Sequence, residues 1–138
     1  ARPTHAFLGL SPGLDFETRL IARPQAPEVL ARELAARGYE PAVLAIGTST
    51  DPYQPIERDR RIMRRVLRVL SDHGHPVAIT TKGTLIERDL DLLAPMAARG
   101  LVHVGLSVTT LDAGVGRAME PRVPSPARRL LAIRRLAE

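Results

Sequence analysis

Short, nearly continuous apolar runs alternate along the chain with longer stretches that are apolar on one side only. Ala42–Gly47 (AVLAIG), Pro76–Thr81 (PVAITT) and Leu101–Val108 (LVHVGLSV) are too short for globular helices, so they predict buried strands. In Asp15–Ala22, Phe, Thr and Leu alternate with Glu, Arg and Ile, which predicts one more short strand. Residues 1–14 read as loop, broken by Pro3, Gly9, Pro12 and Gly13.

The amphipathic stretches predict the helices. Pro27 opens the first, with Glu28 in its first turn, Val29, Leu30 and Leu34 as its apolar face, and Gly38 as its stop. A single helix is expected from about Pro55, with Glu57 at its start, to Gly74. Its apolar set is Ile62, Met63, Val66, Leu67, Val69 and Leu70, and Arg61, Arg64, Arg65 and Arg68 gather on the solvated side. Thr84 and Glu87 form a capping-box pattern before the stripe Ile86, Leu90, Leu93 and Ala97, within which Pro95 predicts a kink or break. Ser125 and Pro126 cap a last helix with the stripe Leu130, Ile133 and Leu136, and Asp112–Pro124 before it reads as a loop or short helix.

The resulting order, β-α-β-α-β-α-β-α with short connections, means α/β architecture: parallel strands buried on both faces and joined by right-handed crossovers. A closed eight-fold barrel takes about 250 residues, so 138 residues accommodate about half of one. The chain starts at Ala1 without Met and ends at Glu138 directly after a helical pattern. It is expected to be one domain, residues 1–138, cut at both ends from a longer protein.

Composition narrows the chemistry. There is no cysteine, so the chain itself offers no disulfide, thiolate nucleophile or thiolate metal ligand. That absence fits a cytoplasmic location. The apolar runs fall far below the ~20 residues of a membrane span, and no membrane partner is expected. With no Trp and only four Phe plus Tyr, a stacking platform for single-stranded nucleic acid is disfavoured. Of the 20 basic residues against 15 acidic ones, all but Lys82 are Arg. A lone lysine in an arginine-rich chain marks a position suited to a compact ammonium rather than a planar fork.

Ligands of parallel α/β folds bind at the carboxyl ends of the strands. Those ends read Gly47-Thr48-Ser49-Thr50-Asp51-Pro52-Tyr53-Gln54, Thr80-Thr81-Lys82-Gly83 and Ser107-Val108-Thr109-Thr110. Singly, such residues are more often turn formers and caps. Together they put hydroxyls, one carboxylate and one ammonium on one rim. His73 and His75 flank Gly74 as turn residues rather than a metal pair, His103 is expected to be a hydrogen-bonded core or helix-facing residue, and His5 lies in the opening loop.

The run GTSTDPYQPIE (Gly47–Glu57), with TKG (Thr81–Gly83), SVTT (Ser107–Thr110) and MEPRVPSPARRL (Met119–Leu130), resembles the radical S-adenosylmethionine superfamily, in particular the branch related to spore photoproduct lyase and DNA repair photolyase. The opening Ala1–Glu17 resembles what directly follows that family's CxxxCxxC motif. The resemblance implies a partial (β/α) barrel of the radical SAM type. It implies a lyase-like enzyme that uses S-adenosylmethionine and a four-iron four-sulfur cluster, with ligands outside this chain, to generate a 5′-deoxyadenosyl radical. It implies no activity for the chain alone, and it admits a nucleic-acid substrate. Carried over by position, Thr50 and Asp51 meet the cofactor's amino group, Lys82 its carboxylate, Ser107 the carboxylate or ribose, and Arg122 a second anion contact. The family's thiol hydrogen donor near the second strand has no counterpart in Thr48-Ser49-Thr50, against dimer repair by that route. Two alternatives stand beside this reading. One is a non-catalytic basic α/β module binding nucleic acid with steep salt dependence. The other is an enzyme using Lys82 and Asp51 in acid–base or Schiff-base chemistry.

Overall fold

The computed structural model describes residues 6–138, so Pro3 and His5 of the opening loop lie outside the described residues. In chain order the elements are α1 (Leu14–Thr18), α2 (Ala26–Leu34), β1 (Leu44–Ile46), α3 (Glu57–Arg60), α4 (Ile62–Asp72), β2 (Val77–Thr81), a 3-10 helix (Thr84–Asp89), α5 (Leu90–Ala98), β3 (Val102–Leu106), α6 (Ala113–Met119) and α7 (Pro126–Ala137). The three strands form one parallel sheet in the order β1-β2-β3, with Leu44 opposite Val77 and Val77 opposite Val102. This is the alternating parallel α/β architecture expected, as an unclosed part of a (β/α) barrel.

Among the described residues only one face of the sheet is covered, which corrects the expectation of strands buried on both sides. Val77 and Ile79 are buried against Met63, Leu67, Leu70, Ile86, Leu93 and Met96, with Leu44, Ile46, Val102, Val104 and Leu106 packed around them. Leu67 and Leu70 are fully buried; burying each contributes about 1.5–3 kcal/mol. The opposite row, Ala45–Ala78–His103, carries small residues and an exposed imidazole. His103 is therefore neither a core nor a helix-facing residue, because strand alternation turns it away from the helices.

Several local expectations also change. Asp15–Ala22 is not a strand: Leu14–Thr18 closes as a helical turn, with Arg19 N–H on the Asp15 carbonyl and Thr18 Oγ1 on the Leu14 carbonyl. The expected helix from Pro55 to Gly74 is two helices. Arg61 breaks it in the left-handed region (φ 48°), and the Glu57 carboxylate accepts the Ile62 N–H at 2.9 Å to cap α4. The Thr84–Glu87 capping box does not form; Glu87 accepts instead from Arg128 and, at 3.2 Å, from Arg135 on α7. Pro95 lies inside α5, which continues through it to Ala98. On α7 the Ser125 hydroxyl caps the Arg128 N–H as expected, but the buried face is Pro126, Arg129 and Ala132, while Leu130 and Ile133 are exposed. Among the described residues no helix is long and apolar enough to cross a membrane.

Candidate functional site at the carboxyl rim

The chain leaves β1 through Gly47, whose φ is +97°. A Cβ there would stand 1.9 Å from the Thr80 carbonyl oxygen, so only glycine lets the two strand ends approach this closely. The loop then turns back and Asp51 ties it to β2. Its Oδ1 accepts the Tyr53 N–H at 2.8 Å and the Thr81 hydroxyl at 2.6 Å, and its Oδ2 accepts the Lys82 N–H at 2.7 Å. Thr81 Oγ1 in turn accepts the Gly83 N–H at 2.8 Å. An ionised carboxylate has about four acceptor positions, so one remains.

Beneath this loop lies a buried ionic layer. Asp89, with no exposed surface, accepts from the Tyr53 phenol at 3.2 Å and from Arg64 and Arg88 at 2.9–3.0 Å. Arg88 also reaches the Glu57 carboxylate at 3.0 Å and the Glu57 carbonyl at 2.9 Å. Burial, reinforced by the Asp89 charge, pushes the Tyr53 phenol above its ordinary range, so it serves as a donor and not as a titrating group. Every charge here has a partner, which is what makes a buried layer of ions tenable. Arg64 also grips Asp91, and Arg65 pairs with Glu28, so the four-arginine face of α4 is not simply solvated.

The rim continues at β3. Ser107 donates its N–H to the Thr81 carbonyl at 3.0 Å, and its own carbonyl accepts Arg129 Nη1 at 2.7 Å. Arg129 is fully buried on α7. Its Nη2 reaches Glu120 Oε2 at 2.8 Å, while Thr109 Oγ1 donates to Glu120 Oε1 at 2.9 Å and Lys82 Nζ pairs with the same oxygen. The hydrogen bond from Lys82, with those of Arg129 and Thr109, pulls the Glu120 carboxyl down to about 2 against the opposing effect of burial. The Lys82 side chain is 42% exposed and that of Glu120 11%, so the ammonium is the accessible end of the cluster.

Of the residues singled out in the sequence, Asp51, Lys82 and Ser107 meet on one rim through the Thr81 backbone and side chain. Thr50 stands exposed beside Asp51. Arg122 goes elsewhere: its guanidinium is 2.6 Å from Glu17. His75 is buried against Tyr39, whose hydroxyl lies 2.7 Å from Nε2, and His73 Nδ1 lies 2.9 Å from the Val69 carbonyl. Glu120 and Arg129 were not legible as site residues. A signal was present for Arg129, which keeps helical phase with Pro126, Ala132 and Leu136 and so falls on the inward face of α7.

Uncharacterized proteins of Mycobacterium bovis and Mycobacterium tuberculosis are each 38% identical over 133 residues, 96% of this chain and 39% of the relative. An uncharacterized protein of Methanocaldococcus jannaschii is 32% identical over 89 residues, 64% of this chain and 33% of the relative. The chain thus spans about two fifths or less of the length of the curated relatives it matches. No solved structure gives a significant match. The model of the Radical SAM superfamily matches residues 16–138, from α1 through the rim to the end of α7, and the chain belongs to that superfamily.

Proposed function

We propose that this rim receives the amino-acid end of S-adenosylmethionine, and that the whole protein is a radical enzyme of the lyase-like kind. The observation that carries the reading is the clustering of Lys82, Ser107, Thr50 and Asp51 where three parallel strands end. The Lys82 side chain is partly exposed, and its ammonium keeps donors beyond the one engaged by Glu120. It would take the cofactor carboxylate, with the Ser107 hydroxyl beside it. The Thr50 hydroxyl and the remaining acceptor position of Asp51 would take the ammonium. A zwitterion is thereby matched group for group, and charge-assisted hydrogen bonds of this type are the strong ones.

The iron–sulfur cluster does not fit the residues present. Thiolates hold such clusters, and this chain has none. Among the described residues no group of three or more His, Asp or Glu could hold a metal ion. On this reading the cluster's ligands would lie outside this chain. The part played by this chain is binding and orientation. The nucleic-acid module is the weaker reading, since Arg64 and Arg65 are committed to ion pairs within the fold and only Arg61 and Arg68 of that face remain.

Amide hydrogen exchange on the full-length protein tests this. Added S-adenosylmethionine should slow exchange at Lys82–Gly83 and Ser107–Thr110. Protection confined to α4, or to none of these segments, would contradict it.

A further inference from the structure

The arrangement of Lys82, Glu120 and Arg129 raises a problem for any anion arriving at the rim. Glu120 is itself a carboxylate seated on Lys82, and an isolated Lys82–Glu120 pair would be neutral and already satisfied. Arg129 changes that balance. It reaches the other Glu120 oxygen at 2.8 Å from a fully buried position, with Thr109 at 2.9 Å as a further donor. Glu120 cannot leave Arg129 without stranding a buried guanidinium, which is strongly unfavourable. Lys82, in contrast, has a side chain 42% exposed and can turn outward. With two cations sharing one anion, the cluster keeps one net positive charge, and it is presented at the accessible end.

We propose that Arg129 is the positioning residue of this rim: by claiming Glu120 from behind, it leaves Lys82 able to receive the ligand's carboxylate. The inference rests on the reading of Lys82 given above and adds to it the group that sets its capacity. Glu120 becomes a built-in competitor for Lys82, and Arg129 the residue that holds the competitor back. Arg129 also fixes the Ser107 carbonyl at 2.7 Å, so both halves of the carboxylate end depend on one buried side chain.

The test is calorimetric titration of the full-length protein with S-adenosylmethionine and with its decarboxylated analogue. Arg129→Gln should weaken S-adenosylmethionine about fivefold, the scale of one partly exposed charge pair, and leave the analogue unchanged. Glu120→Gln should tighten S-adenosylmethionine by a similar factor, again without effect on the analogue. In the double variant, which puts a neutral amide pair behind Lys82, Arg129→Gln should no longer weaken S-adenosylmethionine below the parent, because its effect runs through the Glu120 charge and contacting residues are coupled. Equal weakening of both ligands by Arg129→Gln, or no recovery in the double variant, would mean a purely structural role and overturn the proposal. Should Arg129→Gln fail to fold, Glu120→Gln decides alone: tighter binding supports the proposal, and weaker or unchanged binding overturns it. Lys82→Ala separates the two levels. If it leaves the preference for the carboxylate-bearing ligand intact, the underlying reading of Lys82 fails. If it abolishes that preference while Glu120→Gln has no effect, only the role of Arg129 fails.

Discussion

Asp51 and Thr81 meet at 2.6 Å across 30 residues of chain, the carboxylate accepting the hydroxyl that ends β2. Because the same carboxylate also holds the Tyr53 and Lys82 N–H groups, one side chain sets both the loop after β1 and the starting direction of Lys82. Asp51→Ala removes all three bonds and should cost about 2–4 kcal/mol, given the modest net worth of each and the donors left behind. Asp51→Asn, which keeps an acceptor, should cost less than half as much. Urea unfolding of the chain measures both, and equal, small losses would count against Asp51 as the tie.

Gly47 makes a second, steric prediction. Its φ of +97° and the 1.9 Å approach of a built Cβ to the Thr80 carbonyl combine strain with a clash against backbone that cannot rotate away. Gly47→Ala should destabilise by about 3–5 kcal/mol. Gly38, at φ +84° with open space around it, is the control, and its alanine variant should lose only about 1 kcal/mol. Thermal unfolding of the pair gives the contrast.

Much of the fold is legible in the sequence because its signals are local. β2 and β3 are short apolar runs between Pro or Gly, and α7 starts where Ser125 and Pro126 say it does. The readings that changed depend on partners far along the chain. Glu87 leaves its capping box for Arg128 and Arg135, 41 and 48 residues away, and Glu57 caps α4 only because Arg61 turns left-handed with no glycine or proline to announce it. The same holds at the rim. Hydroxyls at strand ends can be read from the alternation of elements, which brought Asp51, Lys82 and Ser107 forward. A buried arginine behind a carboxylate requires knowing that α7 packs on the 3-10 helix and next to α6, and periodicity favoured the leucines instead.

Acid pH should report on the Glu120 cluster. The folded carboxyl sits at about 2, below its ordinary value near 4.5, so folding favours the ionised form. The stabilisation is fully present above about pH 4.5 and is lost as pH falls toward 2, because the unfolded chain takes up the proton first. Urea midpoints measured from pH 5 to 2 should fall, and Glu120→Gln should flatten part of that slope. An identical slope in the variant would remove Glu120 from the account of acid stability.

The central claim is that Lys82 receives a carboxylate at this rim. Its most direct test is the dissociation constant of S-adenosylmethionine for the full-length protein, measured at one salt concentration for the parent, Lys82→Ala and Lys82→Arg. Loss of one charged hydrogen bond predicts weakening by about 2–3 kcal/mol, or roughly 30- to 150-fold, for Lys82→Ala. Lys82→Arg should recover only part of it, since the fork is larger and directed differently. Unchanged affinity in both variants would contradict the claim.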